Sequence, residues 1–465
     1  MLLALLIVAS SVGWYNTVKP LPEGVNFNGQ PWPAHDVAFL GDMTYLDPSG
    51  QRQSDQVIFD EVIAMIKQAR RLILIDMFLF NDYLGASPEP IRNLSQELTT
   101  TLLDQKQRHP NLRIVFITDP INTVYGSIPE SHLETLKAAG AEVILTNLMP
   151  LRDSNPIYSA WYRIFLQPFG EGQGSSLPNP FGKGQVSFRS YFHLLNFKAN
   201  HRKVIVCDQG GDYTALVTSA NPHDASSAHD NIALRFSGKT AWDILQAEGS
   251  VLAFSGGPEL VIPEPPDPAP SNLMLRLVTE KAILNAILAQ INALEKGDRL
   301  DIVMFYFSHR AIVNELKRAQ RRGASIQMVL DPNKDAFGRE KNGIPNRQVA
   351  QELHDAGISI RWADTHGEQC HSKMLLFTHQ HQRVLLLGSA NLTRRNLDNY
   401  NLEMNVVLTG PPNHQAFLDA ATYFQQFWSN TAGRQLTLDF EAFADNHWGR
   451  KVLYRIMERF GLSTF

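Results

Sequence analysis

Two stretches of the chain carry the same four polar residue types at the same spacing. His201 and Lys203 lead to Ser219 and Asn221, and His371 and Lys373 lead to Ser389 and Asn391. Histidine precedes asparagine by 20 residues in both copies, and lysine precedes serine by 16. A lone His-x-Lys triplet arises by chance, whereas a matched downstream Ser-x-Asn in both halves marks a duplication. Each copy offers one imidazole, one ammonium, one hydroxyl and one carboxamide, so the chain reads as two copies of one half-site.

The elements that must position these groups are legible around them. Val204 to Cys207 and Ala215 to Val217 predict strand, turn, strand, and Met374 to Phe377 with Val384 to Leu387 repeat the pattern. Histidine and lysine two residues apart point to one face of their strand, and Ser-x-Asn at the end of the next strand reaches that face. The repeat extends upstream. Ser54 followed by Ile58, Val62, Met65 and Ala69 predicts a helix running into a strand from Leu72 to Phe80, and Ile283, Ile287 and Ile291 precede Leu300 to Phe307 in the same way. Ile114 to Pro120 matches Ile326 to Pro332, and Ala139-Gly140 matches Ala356-Gly357. Alternating strand and helix in both halves predicts two α/β domains. The chain's 465 residues, 44% of them hydrophobic, are enough for two cores.

The pattern H-x-K-x4-D with a following G-S-x-N, present twice, resembles the signature of the phospholipase D superfamily. Here the copies read HRKVIVCD then TSAN, and HSKMLLFT then GSAN. The resemblance covers roughly residues 50 to 430 and implies two pseudo-symmetric α-β-α domains with one active site at their interface. It also implies the reaction. Lys203, Lys373, Asn221 and Asn391 neutralise the equatorial oxygens of a phosphodiester without a metal, one histidine attacks phosphorus to form a phosphohistidine, and the other protonates the leaving alkoxide. The family places the nucleophile in the first motif, which implies His201 as nucleophile and His371 as acid. Two imidazoles facing one phosphate titrate as a pair.

The copies depart from the pattern in different places. Asp208 holds the motif aspartate in the first, but Thr378 stands there in the second; Thr218 replaces the glycine seen as Gly388. In the family that aspartate supports the motif rather than touching substrate. Glu403 lies where relatives place an acid that orients the motif histidine, and Ala233 is read as its counterpart in the first half, with Asp230 or Asp224 as substitutes. Ser219 and Ser389 complete the supporting set.

The expected organisation is a hydrophobic amino-terminal segment and linker over 1–37, a first domain over 38–257, a proline-rich connector over 258–270, a second domain over 271–430 and a basic amphipathic tail over 431–465. The first domain carries an insertion of about 47 residues near 147–197, rich in aromatic residues such as Tyr158, Trp161, Phe165, Phe181 and Phe197 beside Arg152 and Arg163. Contact with a lipid headgroup boundary and simple packing onto the core are both open readings of it. Residues 1 to 18 carry no charged side chain and are short for a bilayer span. An anchor in a bacterial cell membrane is preferred to a cleaved signal, which would carry a positive residue first; a buried helix is the alternative. The tail, with Arg450, Lys451, Arg455 and Arg459, suits an anionic surface or, by preference, packing on the domain.

Cys207 and Cys370 are the only cysteines and read as small buried residues, not as a disulfide framework. His379 and His381 lack partners at zinc-site spacing. No cofactor is implied. The net charge of -4 weighs against nonspecific nucleic-acid binding. The chain resembles bacterial cardiolipin synthase and related phospholipase D enzymes in its two motifs, hydrophobic amino terminus and aromatic insertion. A phospholipid substrate at a membrane follows, with water or an alcohol such as phosphatidylglycerol as acceptor. A nuclease of the same superfamily and a silent lipid-binding scaffold are the alternatives.

Overall fold

In each half of the chain a mixed sheet is built around the strand that carries His-x-Lys. The structure is a computed structural model and describes residues 1–85, 90–170, 172, 174–336 and 339–462. The first sheet runs, in spatial order, Arg52–Asp55, His35–Leu46, Asn231–Ser237, Asp212–Thr218, Lys203–Gln209, Leu72–Met77, Arg113–Thr118 and Glu142–Leu145. The last three are parallel to one another, and the motif strand is antiparallel to both its neighbours. The second sheet repeats this order with Met274–Thr279, Met404–Gly410, Arg383–Gly388, Lys373–Thr378, Arg299–Met304, Ser325–Leu330 and Ser359–Ala363. Thr437–Asp439 closes one edge, and Trp32–Pro33 pairs with the other just before the chain enters the first sheet at His35.

The strands are apolar on both faces because both faces are covered. Val204, Val206, Leu74 and Val217 share one core with Met374, Leu376, Leu385 and Leu387, so the two sheets pack against each other. Ile205, Cys207, Ile73 and Ile75 face helices of the first half, while Ile302, Leu375 and Phe377 face helices of the second. Period-two alternation thus divides each strand between an inter-sheet core and a helix layer.

The helix Ile58–Gln68 buries Ile58, Val62, Met65 and Ile66, and Glu280–Asn292 buries Ile283, Ile287 and Ile291. Ser54, expected at a helix start, lies instead in a strand, paired with Thr44, and its hydroxyl meets the Thr44 hydroxyl at 3.0 Å. The predicted strand from Leu72 to Phe80 ends at Met77, because the amides of Leu79 and Phe80 turn to side-chain oxygens of Asn221 and Asn122. The stretch 258–270 has no regular structure.

The insertion folds as the helix Pro156–Phe165, the short hairpin Leu177–Pro178 with Gln185–Val186, and the helix Phe188–Leu194. Its rings divide between the two readings. Tyr162 is buried and the Tyr158 hydroxyl donates to Phe192 O, whereas Phe165, Phe169 and Phe188 are exposed. Arg163 and Lys198 converge on buried Asp153. The amino-terminal helix Leu2–Val18 lies on this insertion, burying Ala9, Gly13 and Asn16 and exposing Leu2, Leu3, Leu6, Ile7, Trp14 and Tyr15. Among the described residues, no helix is long and apolar enough to cross a membrane.

Candidate active site

The site is assembled from both halves by reciprocal backbone bonds. His201 N donates to Leu402 O at 2.9 Å, and His371 N donates to Asp230 O at 2.9 Å. Each motif histidine is therefore placed by the other half. The residue before it is held by an aspartate of its own half: Asp119 Oδ2 accepts from Asn200 N at 2.7 Å, and Asp331 Oδ2 from Cys370 N at 2.9 Å. These are the aspartates of the repeated Asp-Pro pair, whose function the sequence did not disclose.

The two imidazoles have different partners. His201 Nδ1 donates to Glu403 Oε2 at 3.0 Å, while His371 Nδ1 lies 3.2 Å from Asn231 Oδ1. Register makes Asn231, not Ala233, the counterpart of Glu403: Ser219 N bonds Ile232 O and Ser389 N bonds Met404 O, each one residue beyond. The expected substitutes are engaged elsewhere. Asp230 Oδ1 accepts from Thr44 N at 2.7 Å, and Asp224 Oδ1 from Ser95 N at 3.0 Å, at the start of a helix. The motif serines do matching work. Ser219 Oγ donates to Asn231 Oδ1 at 2.9 Å and Ser389 Oγ to the Glu403 carboxylate, while each accepts the amide of Ile232 or Met404 at 3.0 Å.

Lys203 and Lys373 each donate to the carbonyl of their own motif histidine, at 2.7 Å and 2.6 Å. Each ammonium also sits 5.1 Å from the centre of a ring, Phe78 for Lys203 and Phe305 for Lys373. The same rings pack on His201 and His371. Asn221 Oδ1 accepts from Leu79 N and Asn391 Oδ1 from Tyr306 N, at 3.2 and 3.3 Å, so both amide nitrogens remain as donors at the cavity.

Burial sets the charge state. It pushes His201 down to about 4 although Glu403 pulls the other way, and Lys203 down to about 7. His371 and Lys373 are pushed well below their ordinary values, by burial first and by the neighbouring cations second. Burial would raise the Glu403 carboxyl, but His201 and Lys203 outweigh it and hold it below the usual range. Glu403 is thus a carboxylate beside a neutral imidazole, which leaves the Nε2 lone pair of His201 unprotonated. An entering anion favours the charged forms of both lysines and of one histidine.

The two departures from the motif are met differently. Asp208 Oδ1 accepts the amides of Arg70, Arg71 and Leu72 at 2.7 to 3.0 Å, anchoring the entry to the next strand. Thr378 supplies no such acceptor; at that edge Asp298 Oδ2 accepts from His379 Nδ1 at 2.8 Å. Thr218 Oγ1 accepts Ala220 N at 3.0 Å, and in the second half Asn405 Oδ1 accepts Ala390 N at 3.1 Å. A Cβ at Gly388 would lie 2.2 Å from Met404 O, so the oxygen comes from the neighbouring strand there. Removing the first-half acceptor by Thr218→Val is expected to cost about 1–3 kcal/mol of stability in urea unfolding. Adding Ala233→Asn to Thr218→Gly, which copies the second half, should recover part of the loss in the glycine variant; no recovery would show the two arrangements are not equivalent.

Sequence reasoning missed Phe78, Phe305, Asn231 and Arg202. Arg202, between His201 and Lys203, points into the inter-sheet core, where it is fully buried and bonds Glu248 at 3.1 Å and Glu280 at 2.9 Å. Glu280 also accepts Glu403 N at 3.0 Å, tying this cluster to the strand behind His201. A charged residue whose strand neighbours face an apolar core was the available signal.

A cavity of 430 Å3 opens over His201, His371, Asn221 and Asn391. Its lining includes the apolar or aromatic side chains of Ile121, Tyr125, Pro180, Phe181, Leu194 and Phe197, the last four from the insertion. Tyr306, Lys341, His229 and Gln369 line it as well. Both cysteines are buried and unpaired by disulfide.

Residues 287–428 match the family model described as cardiolipin synthase, phospholipase D-like domain. In fold, the chain is similar to phosphatidylserine synthase from Haemophilus influenzae Rd KW20, at 11% identity over 98% of both chains and a TM-score of 0.53. It also matches a phospholipase D family member, Nuc from Salmonella typhimurium, at 17% identity over 35% of this chain and 97% of that one, with a TM-score of 0.29. No curated protein matches it in sequence.

Proposed function

We propose that this chain, whose residues 287–428 match a phospholipase D-like domain model and whose fold is similar to that of a phosphatidylserine synthase, cleaves a phosphodiester of a membrane phospholipid through a phosphohistidine. The observation that carries this reading is one cavity lined by two imidazoles, two carboxamides and apolar side chains, with the two motif lysines buried on the same strands and each bonded to the carbonyl of its histidine. The lysines and the amide nitrogens of Asn221 and Asn391 take the non-bridging oxygens. His201, its Nδ1–H on Glu403, uses its Nε2 lone pair to form the bond to phosphorus. The headgroup oxygen leaves with a proton from His371. Water or an alcohol then gives a proton back to His371 and attacks phosphorus, releasing His201.

The apolar lining suits the acylglycerol side of the substrate, and Tyr306 and Lys341 suit the headgroup or acceptor. Membrane association follows from this reading and from the exposed apolar side chains of the amino-terminal helix. Mass spectrometry of products from phosphatidylglycerol vesicles, with and without glycerol, tests it. Cardiolipin would identify transfer and phosphatidic acid hydrolysis; turnover of soluble diesters or single-stranded nucleic acid alone would sink the lipid assignment. Phe181→Ser with Phe197→Ser should lower lipid turnover by about 10-fold or more, from the loss of apolar contact, while a soluble diester is cleaved as before. Equal loss on both would mean the insertion only supports the fold.

A further inference from the structure

A second, arginine-rich recess adjoins the short helix Arg394–Leu397, separate from the cavity over the motif histidines. Arg395 and Asn396 line the cavity, whereas Arg394 faces a separate recess of 510 Å3 with Arg310, Arg455 and Arg459. Two acids border it, and both are engaged. Glu458 Oε1 accepts from Ser308 Oγ at 2.8 Å, and Asp398 lies 3.7 Å from His309 Nε2. Arg310 and Arg455 also pair with Glu352 at 2.8 and 3.3 Å. His309, only 7% exposed, lines the same recess, and its Nδ1 has no hydrogen-bond partner among the described residues. Arg394 is held in place by donating to Glu458 O, Arg459 O and the Tyr400 hydroxyl, so four guanidinium groups, three of them fixed by other bonds, converge on one recess with two acids, an arrangement that suits an anion.

The helix that supplies Arg455 and Arg459 indicates where the anion comes from. Trp448–Phe460 packs by Tyr454 and Glu458, yet leaves Trp448, Val452, Ile456 and Phe460, each four residues apart, exposed on one face with Leu453 beside them. Arg455 and Arg459 precede two of these residues and border the recess. An apolar ridge edged by arginines is the pattern of a helix lying in the plane of an anionic lipid surface. The end of this helix adjoins the insertion: a Cβ at Gly461 would meet Ser154 O at 1.7 Å, just before Pro156–Phe165, on which the amino-terminal helix rests. Exposed apolar residues of both termini and the insertion therefore lie on connected elements near the cavity.

We infer that the recess binds the phosphate of an anionic lipid headgroup while the carboxyl-terminal helix lies on the bilayer surface. The inference is independent of which bond the catalytic cavity cleaves. Flotation of the full chain with vesicles of phosphatidylcholine, alone or with phosphatidic acid, tests it against the double variant Arg455→Gln, Arg459→Gln. The wild type should prefer the anionic vesicles, and the variant should lose about 10- to 30-fold of that binding, at roughly a factor of 5 per basic residue. Turnover of a soluble diester should be unchanged, which keeps this result separate from the proposed reaction. Calorimetry with glycerol 3-phosphate distinguishes the sources of the phosphate. Binding that the variant loses shows that the recess takes the phosphate group itself, and absence of binding with vesicle affinity intact places recognition at the bilayer. Equal vesicle binding by variant and wild type, or no preference of the wild type for anionic vesicles, overturns the inference.

Discussion

His201→Asn is expected to end turnover on every diester, and His371→Asn to slow it by about 10²- to 10⁴-fold, depending on the leaving group. The difference follows from what each imidazole can do. His201 has its Nδ1–H committed to a buried carboxylate, which leaves Nε2 as a nucleophile. His371 Nδ1 faces a carboxamide oxygen, and in the proposed mechanism it carries the proton. With a p-nitrophenyl diester the leaving phenolate needs no proton, so His371→Asn should still release one equivalent in a burst. The second step lacks its base, and an acid-labile, alkali-stable phosphoryl label should accumulate on residue 201. Peptide mapping under alkaline conditions reads this directly. A burst from His201→Asn and none from His371→Asn would reverse the roles, and sustained turnover by either variant on a phospholipid would end the shared-site mechanism.

Glu403→Gln should reduce turnover on the order of 10²- to 10⁴-fold, the range seen where a carboxylate that orients a catalytic imidazole is replaced by its amide. Glu403 accepts from His201, Ser389 and Asn396, and lies among buried lysines whose charge it offsets. An amide nitrogen in its place would face donors, so about 1–3 kcal/mol of stability should go as well. A purely structural role would be exhausted by that loss. The companion variant Asn231→Asp separates the two, because it sets a carboxylate beside His371. A negative neighbour raises an imidazole's pKa, and the general acid works only while protonated. Activity lost as pH rises through that pKa should therefore persist to higher pH in Asn231→Asp. An unmoved basic limb of kcat/KM would mean that His371 is not the acid.

The two histidine–lysine pairs at the shared cavity were legible because residue type and spacing repeat together. His201 with Lys203 and His371 with Lys373 each open a strand, and period two alone puts both groups of a pair on one side. The strand order was legible more coarsely, from apolar runs alternating with helical spacing. Errors fell where tertiary partners override local pattern. Ser54 reads as a helix cap but pairs with Thr44 in a sheet, and Phe78 reads as strand but turns away as the next amide meets Asn221. Counting along the chain aligns Ala233 with Glu403, because it cannot see where the pairing of Ser219 with Ile232 sets the register.

By itself the sequence determined the duplication, the residue types of both half-sites and the α/β character of the halves, because these rest on local composition and periodicity. Only the tertiary structure decided that Glu403 of the second half orients His201 of the first, and that Asn231 of the first faces His371. It also decided that Arg202, inside the motif, turns to the inter-sheet core. Those pairings join positions about 200, 140 and up to 78 residues apart. They exist because two sheets pack face to face and bring the ends of their motif strands together, a geometry that no spacing within one strand encodes.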